Sequence, residues 1–577
     1  MNENIIEQFD RRLLEPQKTH FFIGEGSFGG KAGGLIFIEE IIRKEINISK
    51  FPDIVISVPR MIVLRTKVFE LFMSRNNLYD YALNEKSDVR ILDRFLKADF
   101  PVEYLGDLYY FIDKIKTPLA VRSSGLLEDA KFEPFAGVYA TKMIPNNQQS
   151  TDVRFQKLIE AIKFVYASTY FKVSKDYFRI STHNIEEEKM AVIIQEVVGH
   201  KYDTRYYPNF SGVARSYNFY SIGKTKPEDG IVNLALGLGK TIVDGGITWS
   251  YSPAYPKSSF VFGSPHELLK LTQTDFWAVN LSTIIHYNPV RETEFLIKCN
   301  LKDAEYDSTL KLIASTYSYS EDKIIIGTET KGPRIINFTP LLYFNEFRFN
   351  DLIKELLKIC QDAYNSPVEI EFACTLNPKI CKMDLGFLQI RPIAISNEVV
   401  EIKDDEMMSD DILIASECVL GNGIKENIFD IVYVKPDSFD KKYTTQIAKE
   451  IEIINKKLVK NNLPYLLIGF GRWGSSDPWL GIPVIWSQIS GASIIVESTL
   501  LNIDVELSQG SHFFHNLLSF NVFYFSINYK GKYKIDWDWL KVQEIVEEKN
   551  FVSHVKLKKS ILVKVDGKTG KGIIKKC

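Results

Sequence analysis

Val121-Arg122-Ser123-Ser124-Gly125-Leu126-Leu127-Glu128-Asp129, closed by Phe135-Ala136-Gly137-Val138-Tyr139, sets one arginine and several small hydrogen-bonding residues directly after an apolar run. Residues 118–121 read as the end of a short buried strand. Arg122 is then expected at its carboxyl end, on a turn where Ser123, Ser124 and Gly125 offer hydroxyls and backbone N–H groups. A planar, permanently charged guanidinium grips phosphate oxygens bidentately, so the pattern points to phosphate handling. The competing reading is an arginine paired with Glu128 or Asp129 at a loop edge.

Upstream, Gly24-Glu25-Gly26-Ser27-Phe28-Gly29-Gly30-Lys31-Ala32-Gly33-Gly34-Leu35 runs into 36–43, where Leu35, Ile38, Ile41 and Ile42 recur at helical spacing. The glycines would let backbone approach a ligand, and Lys31 would bring a mobile positive charge to a polyphosphate. No Ser or Thr follows the lysine, so this is not a Walker A loop. A strand-to-helix turn with a solvated lysine is the plainer alternative.

Downstream, Pro367-Val368-Glu369-Ile370-Glu371-Phe372 alternates so that Glu369 and Glu371 share a strand face. Gly386-Phe387-Leu388-Gln389-Ile390-Arg391-Pro392 does the same for Gln389 and Arg391. Side by side, two such strands make an oxygen-rich patch beside a guanidinium. Magnesium prefers hard oxygen ligands and keeps waters, so Glu371 and Gln389 suit the metal and Arg391 a phosphate. An amphipathic hairpin with one wet face explains the same pattern. Gln195-Glu196-Val197-Val198 ends another apolar run, where one amide and backbone groups could read an adenine edge; a plain strand end is the alternative.

Together these segments resemble the nucleotide-binding part of phosphoenolpyruvate synthase and pyruvate phosphate dikinase, found also in rifampin phosphotransferases and glucan water dikinases. The matches are Gly29-Gly30-Lys31, the Val58-Pro59 strand leading to Phe69, the Val121-Arg122-Ser123-Ser124 turn with its Phe-Ala-Gly continuation, and a helix over 161–179. Further matches are Ala191-Val192-Ile193-Ile194-Gln195, Ser211-Gly212-Val213, Gly237-Leu238-Gly239, Glu369-Ile370-Glu371-Phe372 and Leu388-Gln389-Ile390-Arg391-Pro392. The resemblance implies an α+β fold, two ATP-grasp-like lobes closing on ATP and Mg2+. Lys31, Arg122 and Arg391 would take the phosphates, Gln195, Glu196 and Gly212 would line the nucleotide, and Glu371 and Gln389 would hold the metal. Two departures stand out: Gly237-Leu238-Gly239-Lys240 replaces the family's Gly-Leu-Gly-Glu, and Ser211-Gly212-Val213 leads into Ala214-Arg215-Ser216 rather than Phe-Thr-Arg-Asp.

The expected organisation is an N-terminal lobe over 1–220 and a second lobe over 221–398 with an insertion around 256–349. An acidic linker over 399–411 follows, then a smaller α/β domain over 412–577 ending in a β-hairpin. Within the insertion, Arg334 follows a Gly-Pro turn and is either a further phosphate ligand or a surface arginine. About 165 residues follow the linker, too few for a swivelling phosphohistidine domain plus a (β/α)8 barrel of roughly 250 residues. That region partly echoes the swivelling domain. His512, after Gly510-Ser511 at the start of a helix-like run, matches the place of the family's phosphohistidine, and a helix amino terminus favours added negative charge. A structural or ligand-binding cap is an equal reading for His512. The loop Ile468-Gly469-Phe470-Gly471-Arg472-Trp473-Gly474-Ser475-Ser476-Asp477-Pro478-Trp479-Leu480-Gly481 reads either as a small-molecule or anionic-ligand pocket or as an Ω-loop whose tryptophans plug a core. Residues 536–548 look helical, and 555–576 look like a hairpin with a basic face.

A chain of 577 residues, 45% apolar and 25% charged, can bury the cores of several domains, and a net charge of −2 gives no bulk reason to expect nucleic acid. Six scattered cysteines without a C-x-x-C pair indicate neither a disulfide framework nor a zinc site. With no signal-peptide core and no membrane-length apolar run, a cytoplasmic protein is expected, working without nucleic acid or membrane. Two functions remain open: an ATP-dependent phosphotransferase, a kinase passing phosphate to His512 or to an unidentified small-molecule or protein acceptor, or a catalytically quiet ATP-sensing regulatory protein.

Overall fold

The strand that carries Arg122 runs over Leu119–Gly125, further than its apolar start implies. Arg122 therefore lies inside a strand, not on the turn after it, opposite Thr141 on one side and Ile193 on the other. Ser123 and Ser124 are small enough to stay in the ladder opposite Val192 and Ala191. The turn is deferred until Gly125-Leu126, whose N–H groups are taken by the carboxylates of Glu128 (3.1 Å) and Glu188 (2.7 Å).

The computed structural model describes residues 6–12, 19–128, 137–181, 183–218, 225–257, 268–269, 272–282, 288–377, 382–393, 400–475, 477–500, 517 and 521–576. The chain divides into two units. Met1–Ser216, Gly230–Ile242 and Ile247–Pro392 form the first; Tyr217–Asp229, Val243–Gly246 and Ile393–Cys577 form the second.

Two six-stranded sheets organise the first unit. One has the order Glu7–Gln8, His20–Ile23, Met61–Leu64, Met190–Glu196, Leu119–Gly125, Thr141–Ile144. The other has the order Trp249–Tyr251, Ile231–Leu236, Phe210–Arg215, Val368–Asn377, Lys382–Pro392, Ile54–Ser57. This second sheet draws Ile54–Ser57 and Phe210–Arg215 from the 1–220 stretch. Side chains alternate across it as a period of two demands. Ala214, Val232, Leu234, Ile370, Phe372 and Ile390 enter one continuous core with Ala32, Leu35, Ile38 and Ile42 of the helix Gly29–Glu45 and with the helix Phe349–Tyr364. The opposite face carries Arg215, Glu369, Glu371, Gln389 and Arg391.

The helix expected over 161–179 is two helices, Thr151–Ser168 and Lys172–Ile180, because Phe171 between them is extended (ψ 161°). In the 256–349 stretch, Asp275–Asn280 pairs with Leu296–Asn300, and a three-stranded sheet forms from Ala314–Ser318, Lys323–Ile326 and Arg334–Ile336.

The second unit is built on a nine-stranded mixed sheet. Its parallel centre is Gly423–Val434, Tyr465–Phe470, Ala492–Ser498 and Phe523–Ile527, near-continuous apolar runs of the kind that strands buried on both faces require. Only Trp537–Lys541 of the 536–548 run is helical; Glu544–Glu548 is a strand against Val552–Asp566, since the adjacent strand offers it a ladder. Val552–Asp566 and Lys571–Lys575 form the terminal hairpin, whose turn is held by Asp566 accepting from the Lys568 and Thr569 N–H groups.

The acidic stretch before this unit's first strand, Ile412–Ser416, is docked. Val400, Ile402 and Met407 pack against Ala415 and Ile573. Glu406 takes Lys564 (2.8 Å) and Lys575 (3.2 Å), and Asp404 takes Lys571 (2.7 Å). The acidic stretch and the basic hairpin are thus each other's partners. No helix among the described residues is long and apolar enough to cross a membrane.

Candidate functional site

Arg122 reaches from its strand to the polar, largely buried face of the other sheet. Its Nη1 donates to the Leu388 carbonyl at 2.7 Å and to Gln195 Oε1 at 3.3 Å. Its Nη2 donates to Gln389 Oε1 at 2.8 Å and lies 4.0 Å from Glu371 Oε2. The Leu388 carbonyl is available because the ladder slips at this point. Glu371 faces Gln389 but Phe372 faces Phe387, which leaves Leu388 as the extra residue of a bulge. Bulges re-aim local groups in this way beside functional sites.

On that face, Glu369 and Arg391 are a directly opposed pair, as are Glu371 and Gln389. Arg391 lies against both carboxylates, its Nη2 donating to Glu371 at 2.7 Å and its Nε in an ion pair with Glu369 at 3.1 Å. Arg215, the third residue in the Glu369 row, donates its Nε to Glu369 at 2.6 Å. Glu371, Gln389, Arg391, Arg122 and Gln195 therefore converge, although Arg122 and Gln389, for one, are 267 positions apart.

Lys31 is not bonded into that group. Its Nζ is 2.7 Å from Glu128 Oε1, and both side chains are buried. Glu128 also accepts from the Ser123 hydroxyl at 3.0 Å, so Lys31 is tied to the residue next to Arg122. The carboxylate weighed as a partner for Arg122 in fact neutralises the lysine. The Gly29-Gly30 pair serves this packing. A Cβ on Gly29 would lie 1.8 Å from the Ser124 carbonyl oxygen, and one on Gly30 would lie 1.6 Å from that of Glu128. Only bare backbone lets the first helical turn press this close, and Ser124 Oγ fixes it by accepting from the Ala32 N–H (3.0 Å) and donating to the Phe28 carbonyl (2.8 Å).

Gln195 is buried, and its Nε2 donates to the Pro59 carbonyl at 3.4 Å. Glu196 is 3.7 Å from Arg60. Gly212 lies on the core face, where a Cβ would be 2.2 Å from the Phe372 ring, so it is not brought to the cluster. Arg334 is committed elsewhere, its Nε donating to Glu305 at 2.9 Å. His512 and its neighbours, the Phe135-Ala136 continuation and Asp129 lie outside the described residues. In the 468–481 loop, Trp473 is buried with its indole N–H on the Val496 carbonyl (3.0 Å), whereas Trp479 is 60% exposed, so one tryptophan plugs the core and the other does not.

Glu188, beside the Glu128 turn, has its pKa raised to about 7, first by burial and then by the charge of Glu128, against bonds from the Leu126 and Leu127 N–H groups that lower it. Among the described residues no group of three or more His, Cys, Asp or Glu is placed to hold a metal ion. The donor set that suits magnesium is the Glu371 carboxylate with the Gln389 amide oxygen, two hard oxygens on directly opposed residues. Two residues bear on the site beyond those expected from sequence: Arg215, and Leu388 through its carbonyl. The signal for Arg215 was a charge ending an otherwise apolar strand; a bulge carbonyl leaves no signal in side-chain pattern.

No curated protein matches the chain at a significant level. The family described as pyruvate phosphate dikinase, AMP/ATP-binding domain, matches residues 25–411, a stretch that holds Lys31, Arg122, Gln195, Glu371, Gln389 and Arg391. With two thirds of its length so matched, the chain belongs to the pyruvate phosphate dikinase AMP/ATP-binding domain family, a family of ATP-binding phosphotransferases.

Proposed function

We propose that this protein is an ATP-dependent phosphotransferase that binds Mg-ATP in an ATP-grasp-like cleft between its two six-stranded sheets and passes phosphate to a histidine or a small acceptor. The observation that carries the reading is the Arg122 guanidinium, held 2.8 Å from Gln389 and 4.0 Å from Glu371. A basic group from one sheet meets, on the other, the carboxylate–amide pair suited to a hard cation.

Transfer of a phosphoryl group demands in-line positioning and charge compensation more than covalent chemistry from the protein. Glu371 and Gln389 would hold a magnesium ion, which supplies neutralisation of the triphosphate when bound. Arg122 and Arg391 would exchange part of their present bonds for phosphate oxygens, where a planar fork gives direction as well as charge. Lys31 would join them by leaving Glu128, which can still accept from Ser123 and from the Gly125 N–H. Gln195 and Glu196, at the end of the Met190–Glu196 strand, would border the adenine. His512 is the histidine proposed as acceptor.

The test is incubation of the purified protein with Mg2+ and ATP labelled at the β or γ position, following nucleotide turnover and acid-labile, base-stable label on the protein. Turnover should be lost in Arg122→Ala, and protein label should be lost in both Arg122→Ala and His512→Ala. Label surviving in His512→Ala moves the acceptor elsewhere. ATP binding with neither label nor turnover in the wild type would leave a nucleotide sensor instead.

A further inference from the structure

We propose that Arg215 is a third guanidinium of the phosphate site, binding polyphosphate oxygens of the nucleotide through its Nη groups; the inference rests on the ATP reading above. Arg215, Glu369 and Arg391 lie side by side on three adjacent strands, Phe210–Arg215, Val368–Asn377 and Lys382–Pro392. Val213, Glu371 and Gln389 form the neighbouring row, so by strand alternation Arg215 projects to the same face as the proposed metal ligands.

The way Arg215 is bonded is the telling feature. It meets Glu369 through Nε alone, at 2.6 Å, rather than laying its two-nitrogen fork along the carboxylate. Its Nη2 is buried and has no hydrogen-bond acceptor among the described residues, in a residue only 9% exposed. A buried, charged donor without an acceptor is destabilising, and native proteins rarely keep one that a ligand or water does not satisfy. A guanidinium serving only to anchor Glu369 would not need its fork left open.

Charge points the same way. Arg122, Arg215 and Arg391 are three guanidiniums against the two carboxylates Glu369 and Glu371, which leaves this face short of negative charge before any cation binds. A polyphosphate supplies that charge together with acceptor oxygens at forked spacing. Sharing Glu369 couples the two neighbouring guanidiniums. Arg215 holds one oxygen, Oε2, and leaves Oε1 to Arg391, so both forks are aimed from one carboxylate.

The experiment is equilibrium binding of ATP and of AMP, each with Mg2+, to the full-length protein, its Arg215→Met variant and its Arg215→Lys variant, with melting temperatures of the ligand-free proteins measured alongside. The proposal expects ATP affinity to fall about ten- to a hundredfold in Arg215→Met, as the loss of a charged hydrogen bond implies. AMP affinity should change less than about threefold by the same measure, and Arg215→Lys should recover part of the loss because it keeps charge without the fork. Unchanged ATP affinity in Arg215→Met, or ATP and AMP affinities falling together, overturns the proposal and assigns Arg215 to the framework. A wild type that binds no ATP is a separate result, which removes the functional reading along with the inference built on it.

Discussion

Single side chains at this site are set by what lies within a few ångströms of them. Gly212 is bounded by the Phe372 ring, 2.2 Å from where a Cβ would stand. Gly212→Ala should therefore destabilise the first unit by about 1–3 kcal/mol, the usual cost of overpacking, read by urea unfolding. Glu188 gives a prediction with a sign. Its proton is held up to about pH 7 in the folded protein, against an ordinary value of 4.5. The stabilisation linked to that proton is full below the ordinary value and is lost as pH rises through about 7. Glu188→Gln keeps an oxygen for the Leu126 N–H and carries no charge, so its stability should change less across that window and exceed wild type at pH 8. A wild-type pH profile unaltered by the substitution would refute this. Lys31 shows how far a local pattern reaches. The residue type and the neighbouring glycines were legible in the sequence, but not that Glu128, 97 positions away, would hold the lysine.

At the scale of elements, the period-two pattern of 367–372 and 386–392 put Glu369, Glu371, Gln389 and Arg391 on one face, as the ladder has them, because alternation is local geometry; that the face is buried was not legible. The bulge at Leu388 was not legible, since it depends on how two strands distant in sequence fall into register. The connector and the terminal hairpin show the same limit. Their charges were plain, yet each looked solvated alone, and only the fold pairs Glu406 with Lys564 and Lys575. Glu406→Ala should cost about 1 kcal/mol, the upper range for partly exposed pairs, with most of the difference from wild type gone at 1 M salt, where screening reaches about 3 Å. Chemical denaturation with urea at low and high salt checks both parts. The failed helix at 544–548 has the same origin: Glu544–Glu548 finds a partner strand in Val552–Asp566, and that ladder outweighs local propensity.

For the whole molecule, membership of the pyruvate phosphate dikinase AMP/ATP-binding domain family over 25–411 and the meeting of Arg122 with Glu371 and Gln389 lead to a linkage prediction. Mg-ATP at a hundred times its dissociation constant should stabilise the protein by about 2.7 kcal/mol, visible as a rise in melting temperature. At the same ATP concentration Arg122→Ala should show a smaller rise, and an equal rise would separate Arg122 from the nucleotide. By itself the sequence determined the family, the alternating faces and the residue types of the candidate site, because periodicity and motif order are properties of short stretches. Only the tertiary structure decided which charges meet: Lys31 with Glu128, Arg215 with Glu369, Arg122 with a bulge carbonyl. Such pairings join segments tens to hundreds of positions apart, and they are fixed by strand order and register, which no local pattern encodes.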